Sequence, residues 1–152
     1  MIIEPDITLT DIRATSKKQA LEEIAREVCH YLGRQNAQCV EILEKMLERE
    51  HIGSTAIGGG VAIPHIRLSG LEENLNVLVR LKNPVCFEAT DGAPVDLIYM
   101  FIVPEGCHGS PLMQLSRISN FFRHPEYCEI LRSNDDLVEQ ISVCNESQDA
   151  VA

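Results

Sequence analysis

Residues 97–103 read Leu-Ile-Tyr-Met-Phe-Ile-Val, a continuously apolar run. Such a run is typical of a central strand covered on both faces, because a strand with one exposed face would show alternation. Residues 75–82 do alternate, with Leu78 as the exception, and they predict a strand packed mainly on one face. Between the two, residues 91–94 (Asp-Gly-Ala-Pro) predict a turn. The chain therefore has a central strand that other elements must cover.

Helical patterns precede these strands. Residues 16–32 open with the capping-box pair Ser16 and Gln19, and Gly33 supplies a stop signal. A second helix is predicted over residues 36–50. The residues expected on its inner face are Val40, Leu43 and Leu47.

More helices are predicted after the strands. Ser110 is suited to cap a helix whose first residue is Pro111, and further helices are predicted from Pro125 and from near Asp135. This order of elements predicts an α/β fold. We expect a single-domain sandwich with a central mixed β-sheet flanked by helices.

The composition is that of a soluble domain with an acidic surface. The chain has 152 residues, 45% of them hydrophobic, and a formal net charge of −10. This charge excludes nucleic acid as an expected partner, because phosphate binding requires a basic surface, and it favours a basic protein partner. No apolar stretch is long enough for membrane insertion and no signal peptide is recognisable, so we expect a cytoplasmic location. We expect one domain over residues 1–144 and a disordered polar tail over residues 145–152.

The cysteines do not form a recognisable framework. No Cys-x-x-Cys pair is present, and most cysteines lie inside apolar patterns. We therefore expect buried or free thiols in a reducing compartment rather than disulfides. We expect no cofactor and no metal, since Cys107-His108 lacks a partner pair at ligand spacing. The six cysteines are Cys29, Cys39, Cys86, Cys107, Cys128 and Cys144.

The best candidate for chemistry is residues 53–65, Gly-Ser-Thr-Ala-Ile-Gly-Gly-Gly-Val-Ala-Ile-Pro-His. Its glycines allow close backbone approach and expose N–H donors. Residues 61–63 predict a short strand that Pro64 ends, which would present His65 at the edge of the sheet. A neutral imidazole beside free donors suits nucleophilic attack on phosphorus.

Residues 49–65 as a whole, from Arg49 to His65, resemble the phosphorylation-site signature of a known family. This family is the enzyme IIA domains of the bacterial phosphoenolpyruvate-dependent sugar phosphotransferase system. The branch is the fructose/mannitol type, and within it the nitrogen-regulatory form. Residues 87–97 and 103–105 add to the resemblance, which spans roughly residues 7–141 and implies the fold of that family.

The resemblance implies a phosphocarrier. His65 would accept a phosphoryl group from the phosphohistidine of an HPr-type carrier. It would then pass the group to a IIB domain or act as a phosphorylation-dependent regulator. Arg49 matches the arginine beside the active histidine and would bind phosphoryl oxygens bidentately, although a solvated charge at a helix end is the alternative. Further phosphoryl-binding support is expected from Gly53, Ser54, Thr55 and Pro64.

Two departures from the family pattern favour the regulatory role. Pro111 stands where this branch carries a second active-site histidine, and proline cannot hydrogen-bond a phosphoryl group. His108 or Ser110 would be substitutes, while an exposed loop histidine is the alternative for His108. Ile66 stands where glycine often follows the active histidine.

The remaining alternatives concern Asp91 and other functions. Asp91 has a minor supporting role at the site, or it serves its turn alone. A regulatory protein-binding module with weak or lost phosphotransfer is the second functional hypothesis. A nucleotide-binding loop lacks the Gly-Lys-Ser/Thr signature, and a serine hydrolase lacks the Gly-x-Ser-x-Gly elbow.

Overall fold

The computed structural model describes residues 3–106 and 111–151, whose side chains are described up to residue 148. The strands form one β-sheet, and helices enclose it. None of the helices in these ranges is long and apolar enough to cross a membrane. The elements are β1 (Ile7–Ile12), α1 (Lys17–Tyr31), α2 (Ala37–Ile52), β2 (Ala56–Gly58), β3 (Val61–Ala62), β4 (His65–Leu68), β5 (Leu75–Val85), β6 (Val95–Pro104), α3 (Leu112–Phe122), α4 (Pro125–Ser133) and α5 (Leu137–Val151).

The sheet is mixed, as the sequence predicts. Its order is β1-β5-β6-β3-β2, and β4 also pairs with β6. Strand β6 is antiparallel to β5 but parallel to β3 and β4, while β1 is parallel to β5. Strand β6 therefore lies in the middle of the sheet, where its continuous apolar sequence requires cover on both faces.

Two apolar cores cover the two faces of β6. Ile98, Met100 and Ile102 pack with α1 and α2 on one face. On the other face, alternate residues such as Tyr99 and Phe101 pack with α3, α4 and α5. The predicted α/β sandwich is confirmed. Leu78, the exception in the β5 pattern, is buried on the second face.

Strands β3 and β4 follow one line along β6. Val61 pairs with Leu97 and His65 pairs with Phe101, so the register is the same before and after the interruption. Strand β3 ends at Ala62, one residue earlier than predicted, and Pro64, which has no N–H to offer the ladder, lies in the interruption. The strand then resumes, and His65 is the first residue of β4 rather than a residue beyond the sheet.

The first helix begins as predicted and the second differs on its inner face. The Ser16 hydroxyl accepts from the Gln19 N–H at 3.1 Å. In α2, Val40 is 55% exposed, and the prediction that it points inward is wrong. Val40 lies in the first turn of α2, where it lines an open groove between α1 and α2. The fully buried residues of α2 are Ile42, Met46 and Glu50.

The structure differs from the sequence prediction at β1, at the start of α3 and near the C-terminus. Strand β1 was not predicted, because its sequence Ile-Thr-Leu-Thr-Asp-Ile is short and half-exposed. Helix α3 has Pro111 as its N-cap, one position later than expected, and Ser110 lies outside the described residues. Residues 145–151, which the sequence assigns to a disordered tail, continue α5, and residue 152 lies outside the described residues. Asn145 Nδ2 donates to the Ile3 carbonyl at 3.0 Å, which ties this part of α5 to the N-terminal segment.

The prediction that the cysteines are buried or free thiols is wrong for one pair. Cys29 and Cys39 form a disulfide with a Cα–Cα distance of 5.4 Å. They are brought together because α1 and α2 form a hairpin, with Cys29 in the last turn of one helix and Cys39 in the first turn of the other. Three other cysteines are free, as expected: Cys86, Cys128 and Cys144. Cys107 lies outside the described residues.

Candidate functional site

His65 is held by the sheet and by one aromatic ring. Its imidazole stacks on Phe101, the residue it pairs with in β6, with ring centroids 5.1 Å apart and an interplanar angle of 9°. The side chain is half-buried in this position. The next residue, Ile66, is buried in the core with α1 and α2, so an apolar residue after His65 suits a strand.

One ring nitrogen of His65 already has a partner. Nδ1 lies 3.4 Å from the carbonyl oxygen of Ile63. Because a carbonyl oxygen only accepts hydrogen bonds, this contact favours the neutral tautomer with the proton on Nδ1. Nε2 then keeps its lone pair and is the nitrogen that can attack.

The surroundings favour the neutral form of His65. Burial is the largest cause and lowers the pKa of the imidazole below its ordinary value of 6.5. The positive charge of Arg49 lowers the pKa as well, whereas the Ile63 carbonyl and the negative charge of Glu50 raise it. The net direction is downward, so most of the rings carry a free lone pair at neutral pH.

The pKa of His65 is open to a direct test. We expect an NMR titration of the ring to give a pKa below 6.5, a higher pKa in Arg49→Gln and a lower pKa in Glu50→Gln. Because the unfolded chain binds the proton more readily, the contribution of His65 to stability is complete above pH 6.5 and is lost as the pH falls through the folded pKa. Shifts of the same sign in the two variants would contradict this account.

Arg49 lies in the last turn of α2, beside the histidine. Its Nη1 donates to the Gly53 carbonyl at 2.9 Å and so satisfies an orphan carbonyl at the end of the helix. Its charge is close enough to act on His65. Arg49 therefore lies within electrostatic reach of His65, and its guanidinium has further N–H donors that could bind an anion.

Glu50 organises the loop between α2 and β2, a role that the sequence did not reveal. Its side chain is 4% exposed and forms an ion pair with Lys17 of α1 at 3.1 Å. One carboxylate oxygen accepts from the Thr55 hydroxyl in a short hydrogen bond, and the other lies 3.4 Å from the Thr55 N–H. Lys17 also lies over the Phe87 ring, 5.3 Å from its centroid. Glu50 thereby joins two helices to the glycine-rich segment.

The two hydroxyls expected to donate to a phosphoryl group have other partners. Thr55 is buried, and its hydroxyl donates to Glu50. Ser54 Oγ donates to the Phe87 carbonyl at 2.5 Å and accepts from the Ala56 N–H at 3.2 Å. Each hydroxyl has a single proton, and in this structure that proton is used within the protein rather than offered to an anion. Both residues instead fix the shape of the loop.

A second group of residues fixes the glycine turn between β2 and β3. Asp91 accepts from the Gly59 N–H at 2.9 Å, and this bond is the largest cause that lowers the pKa of the Asp91 carboxyl. Arg132 donates to the Gly59 carbonyl at 2.7 Å and to both carboxylate oxygens of Asp96. Gly60 has a φ of +81°, which other residues rarely adopt, and a Cβ there would lie 3.3 Å from the Pro94 carbonyl oxygen, so the turn strongly favours glycine.

The candidate site therefore consists of the His65 imidazole and the groups that position it. The described residues bring together His65, Arg49, Gly53 and Pro64, with Ser54 and Thr55 holding the loop. Asp91 holds the neighbouring turn. His108 lies outside the described residues, as does Ser110. Sequence reasoning missed Lys17, Glu50, Phe101 and Arg132, since each acts on residues distant in sequence.

Known proteins are similar to this chain in sequence and in fold. Residues 1–146 match the family described as Phosphoenolpyruvate-dependent sugar phosphotransferase system, EIIA 2. A nitrogen regulatory protein from Bradyrhizobium diazoefficiens is 38% identical over 135 residues, which cover 89% of this chain and 86% of the relative. The crystal structure of nitrogen regulatory protein IIA-Ntr from Neisseria meningitidis aligns with a TM-score of 0.79 at 32% identity, covering 91% of this chain and 92% of that one.

A third similarity concerns the fold alone. Enzyme IIA of the mannitol system from Escherichia coli, solved in complex with its phosphorylated enzyme IIB, aligns with a TM-score of 0.68 at 17% identity. The alignment covers 92% of this chain and 96% of that one.

Proposed function

The chain belongs to the EIIA type 2 family of the phosphoenolpyruvate-dependent sugar phosphotransferase system, and from this premise we propose that it carries a phosphoryl group on His65. The donor is an HPr-type phosphocarrier, and the recipients are a IIB domain or regulatory protein targets. The family membership supports the general role in phosphotransfer. The assignment of the step to His65 rests on the site itself.

One observation carries the proposal. The surroundings of His65 favour its neutral ring, and Nδ1 contacts the Ile63 carbonyl. Among the described residues, none forms a hydrogen bond with Nε2, so its lone pair is available. Stacking on Phe101 holds the ring plane, so the Nε2 lone pair has a fixed direction. In-line attack on phosphorus requires such a direction.

The transfer follows from these contacts. As the Nε2–P bond forms, the bond from phosphorus to the donor nitrogen breaks and the donor keeps that electron pair. Positive charge develops on the His65 ring, and the Ile63 carbonyl stabilises it through the Nδ1 proton. We expect the Arg49 donors that the Gly53 carbonyl does not use to bind the oxygens of the transferred group, where charge stabilisation contributes most.

The residue at the start of α3 favours a regulatory role over sugar transport. The α3 N-cap is Pro111, which has no N–H and no polar side chain to bring to a phosphoryl group. We propose that acceptance is efficient, that onward transfer to a IIB domain is slow, and that the phosphorylated form persists long enough to control regulatory targets. His108 and Ser110 remain proposed as minor contributors. The curated relatives named nitrogen regulatory proteins support this choice, and the proposal places the chain in the cytoplasm.

A reconstituted relay tests the proposal. Purified chain is incubated with labelled phosphoenolpyruvate, enzyme I and an HPr-type carrier, and then a IIB domain is added. We expect an acid-labile phosphate on the chain, slow release to IIB, and release about tenfold faster or more in Pro111→His. Absence of label on folded protein would overturn the proposal and favour the regulatory binding module that Pro111 also suggests.

A further inference from the structure

A groove between α1 and α2 contains a pair of cysteines that phosphoryl chemistry does not use. The groove has a volume of about 500 Å³ and is lined by polar and apolar residues of both helices, including Glu22, His30 and Val40. Cys29 and Cys39, bonded to each other, form part of its wall. The site lies at the opposite end of α2 from Arg49 and Glu50.

The two sulfurs differ in access. Cys29 is 2% exposed and packs in the core, whereas Cys39 is partly exposed at the groove. Thiol–disulfide exchange requires a reagent to approach one sulfur along the line of the bond, and access decides which sulfur is attacked. Both cysteines line the groove, but Cys39 is the more exposed of the two, so a small molecule reaches Cys39 more readily than Cys29.

The surrounding backbone is compatible with both the disulfide and the dithiol form of Cys29 and Cys39. The carbonyl oxygen of Arg34 lies 3.3 Å from Cys29 Sγ and 3.5 Å from Cys39 Sγ. In the dithiol form this oxygen can accept a hydrogen bond from either S–H, so reduction leaves no buried donor without a partner. The Cα–Cα distance of 5.4 Å suits the oxidised form without movement of the helices.

We propose that Cys29 and Cys39 form a reversible thiol–disulfide exchange site for low-molecular-weight thiols and their disulfides, with Cys39 as the residue that reacts with the small molecule. In oxidation by glutathione disulfide, the Cys39 thiolate attacks one glutathione sulfur and the other leaves as a thiolate that takes up a proton. The Cys29 thiolate then attacks Cys39 Sγ and expels the second glutathione. Two protein thiols are oxidised and one glutathione disulfide is reduced to two glutathiones.

The consequence is a change in the α1–α2 hairpin. The disulfide closes a short loop that contains Gly33 and Asn36, both of which have positive φ. Closing such a loop restricts the unfolded chain and stabilises the folded hairpin. Reduction is therefore expected to lower Tm by about 5–10 °C and to speed hydrogen exchange in the first turn of α2. This inference does not depend on phosphorylation of His65.

Trapping with single variants tests the proposal. The background is Cys86→Ser/Cys107→Ser, which removes the exposed thiol and the cysteine outside the described residues. Reduced protein is mixed with glutathione disulfide, and the products are read by mass spectrometry. We expect an internal disulfide in the background protein, a stable glutathione adduct on Cys39 in Cys29→Ser, and at least about tenfold slower adduct formation on Cys29 in Cys39→Ser.

Two controls keep the outcome decisive. Circular dichroism shows that each variant is folded, and a Cys29→Ser/Cys39→Ser double variant should have the same Tm with and without reductant. Equal rates of adduct formation at the two cysteines would overturn the proposal. So would a native disulfide that reduced glutathione does not open, or a reduced protein that does not reclose it.

Discussion

Replacement of His65 by alanine is expected to lower the rate of phosphoryl acceptance from an HPr-type donor by at least about a thousandfold. The reason is that Nε2 of His65 supplies the attacking electron pair, whereas the neighbouring groups only position the ring and stabilise charge. Arg49 and the loop residues cannot replace it, because a guanidinium stays protonated and does not act as a nucleophile. The measurement is single-turnover transfer of labelled phosphate with the donor in excess.

Two comparison variants make this result specific. His51→Ala removes an exposed histidine only two residues from Arg49 and should keep the wild-type rate. His65→Gln keeps a polar side chain of similar size at the Phe101 stack and should be as inactive as His65→Ala. The ring is half-buried, so we expect either change at His65 to cost about 1 kcal/mol of stability. Labelled His65→Ala protein would contradict the assignment.

Replacement of Glu50 by alanine is expected to lower the free energy of unfolding by about 2–4 kcal/mol. The substitution leaves the Lys17 ammonium, whose side chain is 16% exposed, without its partner, and it leaves the Thr55 N–H and hydroxyl without their acceptor. A buried group that loses its partner costs more than the lost interaction alone. Urea unfolding at neutral pH measures the change.

The matched control for Glu50 is Glu48→Ala on the same helix. Glu48 is exposed, so its removal should change the stability by about 0.5 kcal/mol or less. The double variant Lys17→Met/Glu50→Gln removes both charges and should recover part of the loss, because no charge is then buried alone. A Glu50→Ala protein as stable as Glu48→Ala would contradict the role given to this ion pair. Phosphoryl acceptance should also fall in Glu50→Ala, since the loop that frames His65 loses its anchor.

The central strand and both helices before it were predictable because their signals are local. Residues 97–103 are apolar without alternation, and this pattern is typical of a strand that is covered on both faces. Ser16 and Gln19 lie at capping-box spacing, and the predicted cap forms. Leu78 broke the alternation of β5 because it belongs to the second core.

The parts that were missed depend on contacts distant in sequence. Arg132 meets Asp96 across 36 positions, and Lys17 meets Glu50 across 33. In the sequence each of these charges has the pattern of an ordinary solvated residue. Cys29 and Cys39 are ten positions apart, and only the turn between α1 and α2 brings their sulfurs together.

The candidate site was predictable at its centre and less so at its edges. Arg49, at the end of α2, is close enough to His65, at the start of β4, to lower the pKa of its ring, and their roles in phosphotransfer stay a prediction. Ser54 and Thr55 looked like donors for a ligand but serve the loop, a use that hydroxyl residues beside a helix end often have. Burial decides between the two uses, and burial cannot be inferred from the motif alone.

The most direct test of the account is NMR spectroscopy of the phosphorylated chain labelled with ¹⁵N at histidine. The contact of Nδ1 with the Ile63 carbonyl predicts that the phosphoryl group is on Nε2 of His65, with the Nδ1 proton retained. Coupling of ³¹P to Nε2 of His65 is the expected result. Coupling to Nδ1 of His65, or to any other residue, would contradict the central claim.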